Sequence, residues 1–217
     1  GIQKYLLQLI NSSKLNGYKH QVLCTISSEG NYRSEYETNK IDFIYFPITY
    51  LPCSNLPYKI DKLLRNLYSR TFMIRLYLYL IKTDSDVIHS HIHSNILSQI
   101  IASIIAGKKF VWTIHGEYEL SKLTQILVRI FHSIISSTRL IIIGDSRHAL
   151  EGTLPYLQNQ QNSKGIIIST GIDLDIFVKK RNSLEIRIKY KIPPNTILIG
   201  STGRIVWQKG YDQLISL

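Results

Sequence analysis

The sequence predicts an α/β fold: a doubly wound parallel sheet with helices on both faces. Segments with the pattern of strands alternate with segments of helical period along most of the chain. Several strand segments are continuous apolar runs, such as residues 140–143 and 166–168. Continuous apolar strands are typical of parallel sheets that are buried on both faces, and the intervening helices supply the crossovers that parallel strands need.

The predicted helices are identified by apolar residues that recur every three or four positions. In the first helix, Tyr5 and Leu9 share a face, and Gly17 ends the helix. Gly107 ends the third helix, and Ser146 is a predicted N-cap for the fifth. The predicted helices cover residues 2–15, 58–81, 95–106, 120–136 and 147–157.

The predicted strands are short apolar runs bounded by polar, glycine or proline residues. Loops are predicted at 27–40, which is polar, and at 47–57, which contains three prolines. In a doubly wound sheet the first strand is central, whereas this chain opens on a helix at Gly1. We therefore expect that the first strand is missing and that the chain is truncated at both ends. The predicted strands cover residues 20–26, 41–46, 86–91, 109–114, 139–144 and 165–169.

A second unit is predicted at the end of the chain. Residues 1–178 form the predicted first domain, residues 179–195 a basic linker, and residues 196–217 the start of a second domain. Within this second domain, the apolar run 196–200 predicts a buried strand, and Tyr211 begins a predicted helix.

The loop between this strand and this helix has the composition of an anion site. It carries Gly203, Arg204, Lys209 and Gly210. Glycines allow the backbone to approach a phosphate, a helix N-terminus offers unpaired N–H groups, and arginine and lysine add full positive charge. The alternative interpretation is a surface loop with two solvated cations.

Composition and charge narrow the class of protein. Hydrophobic content of 44% and charged content of 19% over 217 residues are values of a globular protein. The formal net charge of +11 favours anionic partners. Cys24 and Cys53 have no C-x-x-C spacing, which indicates a reducing, cytoplasmic compartment and disfavours a zinc site. A transmembrane helix needs about 18 consecutive apolar residues, and the sequence contains no such run.

Six segments resemble, in order along the chain, the landmarks of GT4-type retaining glycosyltransferases, enzymes of the GT-B fold with two Rossmann-like domains. The loop Gly203-Arg204-Ile-Val-Trp-Gln-Lys209-Gly210 is similar to the donor-binding loop of that family. Each segment is weakly diagnostic alone, but six in the family's order are a strong signal. The resemblance covers essentially the whole chain, which is about half of a complete enzyme. The other five segments are Gly1-Ile-Gln-Lys-Tyr-Leu with 16–22, then 86–91, 113–116, 143–146 and 169–177.

This resemblance implies an enzyme that moves a sugar from a nucleotide-sugar donor to a saccharide or lipid-linked acceptor with retention of configuration, as in polysaccharide biosynthesis. It implies no metal, and no cofactor beyond the nucleotide-sugar co-substrate. The family's Glu-x7-Glu motif would lie downstream, so we expect the chain to be inactive alone. The implied site residues are His115 as the catalytic contact to the donor sugar, Gly1, Gly203, Arg204 and Lys209 at the donor diphosphate, and His91, Gly116 and Ser146 on the acceptor side or in support.

The histidines also have simpler explanations. His115 follows a predicted strand at the edge where open α/β sheets bind ligands, but Glu117 or the backbone could satisfy it locally. His89, His91 and His93 alternate along a strand and could share a metal, although the family that the chain resembles uses none.

Basic residues interleave with apolar ones over residues 59–82. This pattern fits a helix on an anionic membrane surface, which would suit a lipid-linked acceptor and a peripheral location on the inner membrane face. It fits equally a core helix with a solvated charged face.

Two rival functions also stay open: another GT-B enzyme such as a nucleotide-sugar 2-epimerase, and a basic nucleic-acid-binding module. Nucleic acid is not expected as a partner, because the charges are spread along the chain.

Overall fold

The computed structural model describes residues 2–24, 32–46, 58–135, 138–157, 165–171, 174, 183–203 and 205–216. The chain forms two compact units, Gly1–Gly171 and Ile172–Leu217. The division at residues 178 and 196 that the sequence suggests stays a prediction.

Helices and strands alternate through the first unit, as predicted. The helices are α1 Ile2–Lys14, α2 Tyr32–Thr38, α3 Tyr58–Leu80, α4 Ile96–Ile105, α5 Lys122–Ile134 and α6 Arg147–Thr153. The strands are β1 Gln21–Cys24, β2 Asp42–Tyr45, β3 Val87–Ser90, β4 Lys109–Ile114, β5 Leu140–Gly144 and β6 Gly165–Ile167. Gly17 and Gly107, just beyond α1 and α4, have φ of 81° and 78°, the left-handed conformation that ends helices at glycine.

All strand pairs are parallel, which confirms the predicted sheet type. Strands β3, β4, β5 and β6 form one sheet in that order, and β1 pairs with β2 in a separate two-stranded sheet. Within the described ranges, no backbone pairing joins the two sheets. Because parallel strands end on the same side of a sheet, the residues after β3, β4 and β5 lie along one edge.

Helices cover both faces of the two-stranded sheet. Val22 of β1 packs in a cluster with residues of α1 and α2, including the buried Ile10 and Tyr36. The next residue, Leu23, packs in a different cluster with Phe72 of α3. Because successive side chains of a strand point to opposite faces, this pair shows that the sheet is covered on both sides, as the sequence predicts.

The main core lies between the four-stranded sheet and helices α4, α5 and α6. Phe110, Trp112 and Ile114 alternate along β4, and each is 0% exposed. They pack in one cluster with Ile100 of α4 and Val128 of α5. Full burial of side chains of this size contributes about 1.5–3 kcal/mol each, so this cluster holds β4 and the residues that follow it in place.

The prediction of a polar loop at 27–40 is wrong for its second part, which forms helix α2. Tyr36 is 4% exposed and packs against Ile10 and Ile41. A helix of seven residues is unstable alone, and burial of an aromatic side chain against α1 and the start of β2 offsets its low intrinsic stability. The predicted loop at 47–57 lies outside the described residues.

The second unit contains helix α7 Ser183–Lys189, a 3-10 turn Trp207–Lys209, and helix α8 Tyr211–Ile215. Helix α7 lies in the segment that the sequence suggests as a linker. The buried strand predicted at 196–200 is wrong: Ile197 is 87% exposed and Ile199 is 70% exposed. A strand needs hydrogen-bonded neighbours, and the described part of this unit contains no other strand.

None of the helices in the described part of the chain combines the length and the hydropathy that crossing a lipid bilayer requires.

Candidate functional site

Polar side chains gather where β3, β4 and β5 end. His91 follows β3, His115 follows β4, and Asp145 follows β5. The sheet register pairs the last residues of β4 and β5, Ile114 and Gly144. His115 and Asp145 therefore leave the sheet side by side, at the edge where open α/β sheets bind ligands.

His115 contacts two of these side chains. Its Nε2 lies 2.9 Å from Nδ1 of His91, within hydrogen-bond distance. Its Nδ1 lies 3.7 Å from Oδ2 of Asp145, and the two side chains are 7% and 23% exposed. The local partner considered for His115 from the sequence, Glu117, instead lies 3.4 Å from Nε2 of His148. His115 is thus held by residues from the two neighbouring strand ends.

Aromatic contacts surround the histidine pair. The ring of Tyr5, on α1, is roughly perpendicular to the rings of His115 and His91, at centroid distances of 5.0 Å and 5.9 Å. The His89 ring lies 4.1 Å from the His91 ring, and His89 Nε2 is 2.7 Å from Oγ1 of Thr113. We refer to His89, His91, His115 and Asp145 as the histidine cluster.

The environment keeps these imidazoles uncharged at neutral pH. Burial, with repulsion from His89 and His115, lowers the pKa of His91 to about 3. Burial and the proximity of His115 lower the pKa of His89 to about 4, although part of its side chain is exposed. Burial also lowers the pKa of His115, and the Asp145 carboxylate opposes that effect. Neutral imidazoles can both donate and accept hydrogen bonds.

Ser146 connects the cluster to helix α6. Its Oγ accepts a hydrogen bond from the backbone N–H of Ala149 at 3.2 Å, which confirms the predicted N-cap. The same hydroxyl donates to Oδ1 of Asp145 at 3.2 Å. Ser146 therefore caps the helix and orients the carboxylate beside His115, so its contact with the cluster is indirect.

The loop after His115 is fixed on one side and open on the other. Thr153 Oγ1 donates to the backbone carbonyl of Gly116 at 3.3 Å and accepts from the N–H of Tyr118 at 3.0 Å. A Cβ placed on Gly116 would have no neighbour within 4 Å. The backbone next to His115 thus faces open space.

The alternating histidines do not form a metal site. His93 lies beyond β3, and its ring stacks on Tyr118 at a centroid distance of 4.1 Å rather than joining His89 and His91. Across the described ranges, no three His, Cys, Asp or Glu side chains stand in a ligating arrangement.

In the second unit, the described residues of the predicted anion loop include Gly203, Lys209 and Gly210. Lys209 is exposed in the 3-10 turn. A Cβ on Gly203 would lie 3.1 Å from Tyr211 Oη and 3.8 Å from Cγ of Lys209, so Gly203 and Lys209 are close neighbours. Gly210, with φ of 62°, is the N-cap residue of α8. Two further residues predicted at the diphosphate, Gly1 and Arg204, lie outside the described residues.

Sequence reasoning missed Asp145 and Tyr5 as parts of the site. Segment 143–146 includes Asp145, but only Ser146 of that segment is predicted at the site, although Asp145 follows β5 in the position that His115 occupies after β4. That equivalence was available from the predicted strands. Tyr5 had no such signal, because its helical spacing predicts core packing and only the folded chain brings α1 next to the histidines.

Solved structures with a similar fold include a protein crystallised with UDP and a glycosyltransferase. The crystal structure of Anabaena Alr3699/HepE in complex with UDP has a TM-score of 0.67 and 16% identity, covering 100% of this chain and 53% of that chain. The same protein in complex with UDP and glucose has a TM-score of 0.68 and 16% identity, with the same coverage of 100% and 53%. A glycosyltransferase from Rickettsia africae ESF-5 has a TM-score of 0.59 and 18% identity, covering 90% of this chain and 47% of that chain.

At these identities the likeness concerns the fold, and the chain spans about half the length of the structures it matches. A comparison with curated proteins gives no match. The family model described as Glycosyltransferase Family 4 matches residues 1–176. Because that match covers most of the chain and the parallel α/β architecture is that of GT-B glycosyltransferases, the chain belongs to glycosyltransferase family 4.

Proposed function

We propose that the protein transfers a sugar from a nucleotide-sugar donor to a saccharide or lipid-linked acceptor, with retention of configuration and without a metal ion. The observation that carries this proposal is the buried His115, held at the carboxyl edge of the sheet in a family 4 chain. The match to the glycosyltransferase family model does not support the two alternative functions, a nucleotide-sugar 2-epimerase and a nucleic-acid-binding module.

The donor proposal is supported by the structural neighbours. Anabaena Alr3699/HepE has been crystallised with UDP, with UDP and glucose, and with UDP-glucose. UDP-glucose is therefore the first donor to test. In the second unit, Lys209 is an exposed cation beside Gly203, and both suit contact with a diphosphate. A cation there would stabilise the negative charge that grows on the leaving nucleotide, a task that needs no metal.

His115 suits a position next to the donor sugar because it is neutral. Positive charge develops at the anomeric carbon as a glycosidic bond breaks, and a charged imidazolium nearby would oppose it. A neutral imidazole can instead accept a hydrogen bond from a sugar hydroxyl. The open space at Gly116 leaves room for such a ligand next to the His115 backbone.

Turnover of UDP-glucose by the complete enzyme that contains this chain, measured as release of UDP, tests these roles. We expect Lys209→Ala to lose at least tenfold in kcat/KM, because it removes a contact between charged groups worth about 1.5–3 kcal/mol. His115→Ala should lose about fivefold, because it removes a neutral hydrogen bond worth about 1 kcal/mol. His148→Ala is the matched control, since that histidine has a side chain 85% exposed and pairs with Glu117. Wild-type turnover in both site variants would refute the assignment.

Two further measurements test the finer proposals. The anomeric proton coupling of the product, followed by NMR from the first turnovers, should show the configuration of the donor. Turnover should also persist after dialysis against a chelator. Inversion, or loss of activity that added divalent metal restores, would contradict retention or metal independence respectively.

Helix α3 supports the proposal of a lipid-linked acceptor. One face packs in the core through Phe72, Leu76 and Leu80. On the opposite side Leu67, Ile74, Leu78 and Ile81 are 55%, 53%, 47% and 49% exposed. Exposed Arg70 and Lys82 lie on the same segment. The inner face of this helix thus fits the interpretation as a core helix. The outer face has the apolar and basic character of a helix that contacts anionic lipid.

Helix α5 carries a similar outer face. Its exposed apolar residues are Leu123, Ile126, Ile130 and Ile134. Its only charged residues are the exposed Lys122 and Arg129. Helix α4 packs against both α3 and α5, so the three helices are neighbours.

Co-sedimentation with vesicles that contain anionic lipid tests this surface at low and high salt. We expect binding at low salt that the paired change Ile74→Glu and Leu78→Glu abolishes. Asn11→Glu, an exposed position on α1, controls for added negative charge. Absence of wild-type binding, or equal binding by the paired variant, would overturn the proposal.

A further inference from the structure

We propose that His91 is a positioning residue that fixes the tautomer and orientation of His115. Its importance for catalysis rests on the function proposed above, whereas its effect on His115 does not. His91 Nδ1 lies 2.9 Å from His115 Nε2, and His115 Nδ1 lies 3.7 Å from Asp145 Oδ2. The three side chains thus form a linear series in which each ring nitrogen of His115 has one neighbour.

Only one placement of protons is favourable along this series. If His115 carries its proton on Nδ1, that proton is attracted electrostatically by the Asp145 carboxylate, whose Oδ2 lies 3.7 Å from Nδ1, and Nε2 accepts a hydrogen bond from His91 Nδ1–H. If the proton is on Nε2, the His115 Nδ1 lone pair faces a carboxylate oxygen, and two acceptors oppose each other. The first arrangement therefore prevails, with His91 as the donor.

The other nitrogen of His91 supports the same assignment. His91 is 8% exposed, and its Nε2 is buried with no hydrogen-bond partner in the part of the chain that the structure describes. When Nδ1 carries the proton of a neutral His91, Nε2 is a lone pair. The opposite tautomer would bury an unpaired N–H, and a second proton would bury an unpaired charge, which costs more.

The packing of the rings restricts rotation of His115. The rings of His91 and His115 are stacked at 24° with centroids 5.2 Å apart, and Tyr5 meets His115 at 5.0 Å. His115 is consequently held with an Nε2 lone pair, the group that a substrate hydroxyl can use when it takes the place of the His91 donor. Loss of His91 should allow a second tautomer and reduce the competent fraction.

NMR of the chain with 15N-labelled histidine tests the proton placement without substrate. We expect His115 to be protonated on Nδ1 in the wild type. His91→Leu should raise the fraction protonated on Nε2, and His91→Asn, whose amide occupies the position of Nδ1, should restore the wild-type state. His91→Gln is the matched control, because its amide reaches the position of Nε2 and should not restore it.

Wild-type His115 protonated on Nε2, or an unchanged tautomer in His91→Leu, would overturn the proposal. If His91→Leu does not fold, as judged by its amide spectrum, Asp145→Asn provides the test and should also raise the Nε2–H fraction. An unchanged fraction in Asp145→Asn would equally contradict the series.

Activity separates this proposal from the proposed function. In the complete enzyme with UDP-glucose as donor, His91→Leu should reduce kcat/KM by about fivefold, the loss of one neutral hydrogen bond, and His91→Asn should recover it. A shifted tautomer with unchanged turnover would support the positioning of His115 and refute its role in transfer. An unshifted tautomer refutes the positioning role whatever the activity.

Discussion

Mild acid should destabilise the protein through the histidine cluster. The pKa of His91 is about 3 in the folded state and 6.5 when the side chain is free, so between these values the unfolded chain binds more protons. The contribution of His91 to the free energy of unfolding is therefore fully present above pH 6.5 and is lost as the pH decreases toward 3. A pH of 5 is about 1.5 units below the pKa of the free side chain, so His91 is protonated in the unfolded state and neutral in the folded state. This protonation stabilises the unfolded state by about 2 kcal/mol for His91 alone.

Urea unfolding at pH 8 and pH 5, followed by circular dichroism, measures this difference. The wild type should lose at least about 2 kcal/mol of unfolding free energy between the two pH values. His91→Asn should lose about 2 kcal/mol less than the wild type, because it removes the titrating group. Ser103→Ala, a buried change without a titratable group, should shift stability equally at both pH values. Equal pH dependence in the wild type and His91→Asn would refute the reasoning.

Three further predictions follow from the site. Gly144→Ala should lower the unfolding free energy by about 1–3 kcal/mol, because its Cβ would lie 2.6 Å from a leucine Cβ of α6, whereas Gly116→Ala, with open space around it, should leave the urea midpoint unchanged. Ser146→Ala should lower the unfolding free energy by about 1 kcal/mol, and Ser146→Asp should recover most of that loss. Urea midpoints equal to the wild type in both variants would show that the cap contributes nothing. Lys209→Ala should weaken UDP-glucose binding about tenfold in titration calorimetry, and unchanged affinity would exclude it from the diphosphate contact.

Local pattern was sufficient for most of the first unit. The six predicted strands and five predicted helices all form, because apolar runs and helical periodicity coincide with burial in most of them. The expected burial is wrong for β6, where Ile166 and Ile167 are 47% and 42% exposed. The exceptions depend on contacts between distant segments. Helix α2 forms where Tyr36 packs against Ile10 and Ile41, and no local signal in 27–40 indicates that contact. The apolar run 196–200 has strand composition but no strand beside it in the described residues.

The site was predictable in part for the same reason. Placement of His115 at the carboxyl edge requires only the end of a strand and the known asymmetry of parallel sheets. The identity of its partner requires the strand order, since Asp145 reaches His115 only because β5 lies next to β4. The ring of Tyr5 comes from α1, which is about a hundred residues away in sequence, so its contact with His115 is a property of the packed domain.

The sequence by itself determined the fold class, the family resemblance and the residue types at the candidate site, because these depend on periodicity and on short motifs. The tertiary structure decided which side chains meet. It brought His91, His115 and Asp145 into one series and surrounded the histidines with protein. The charge and tautomer of an imidazole depend on burial and on neighbours a few ångströms away, and only the folded chain specifies both.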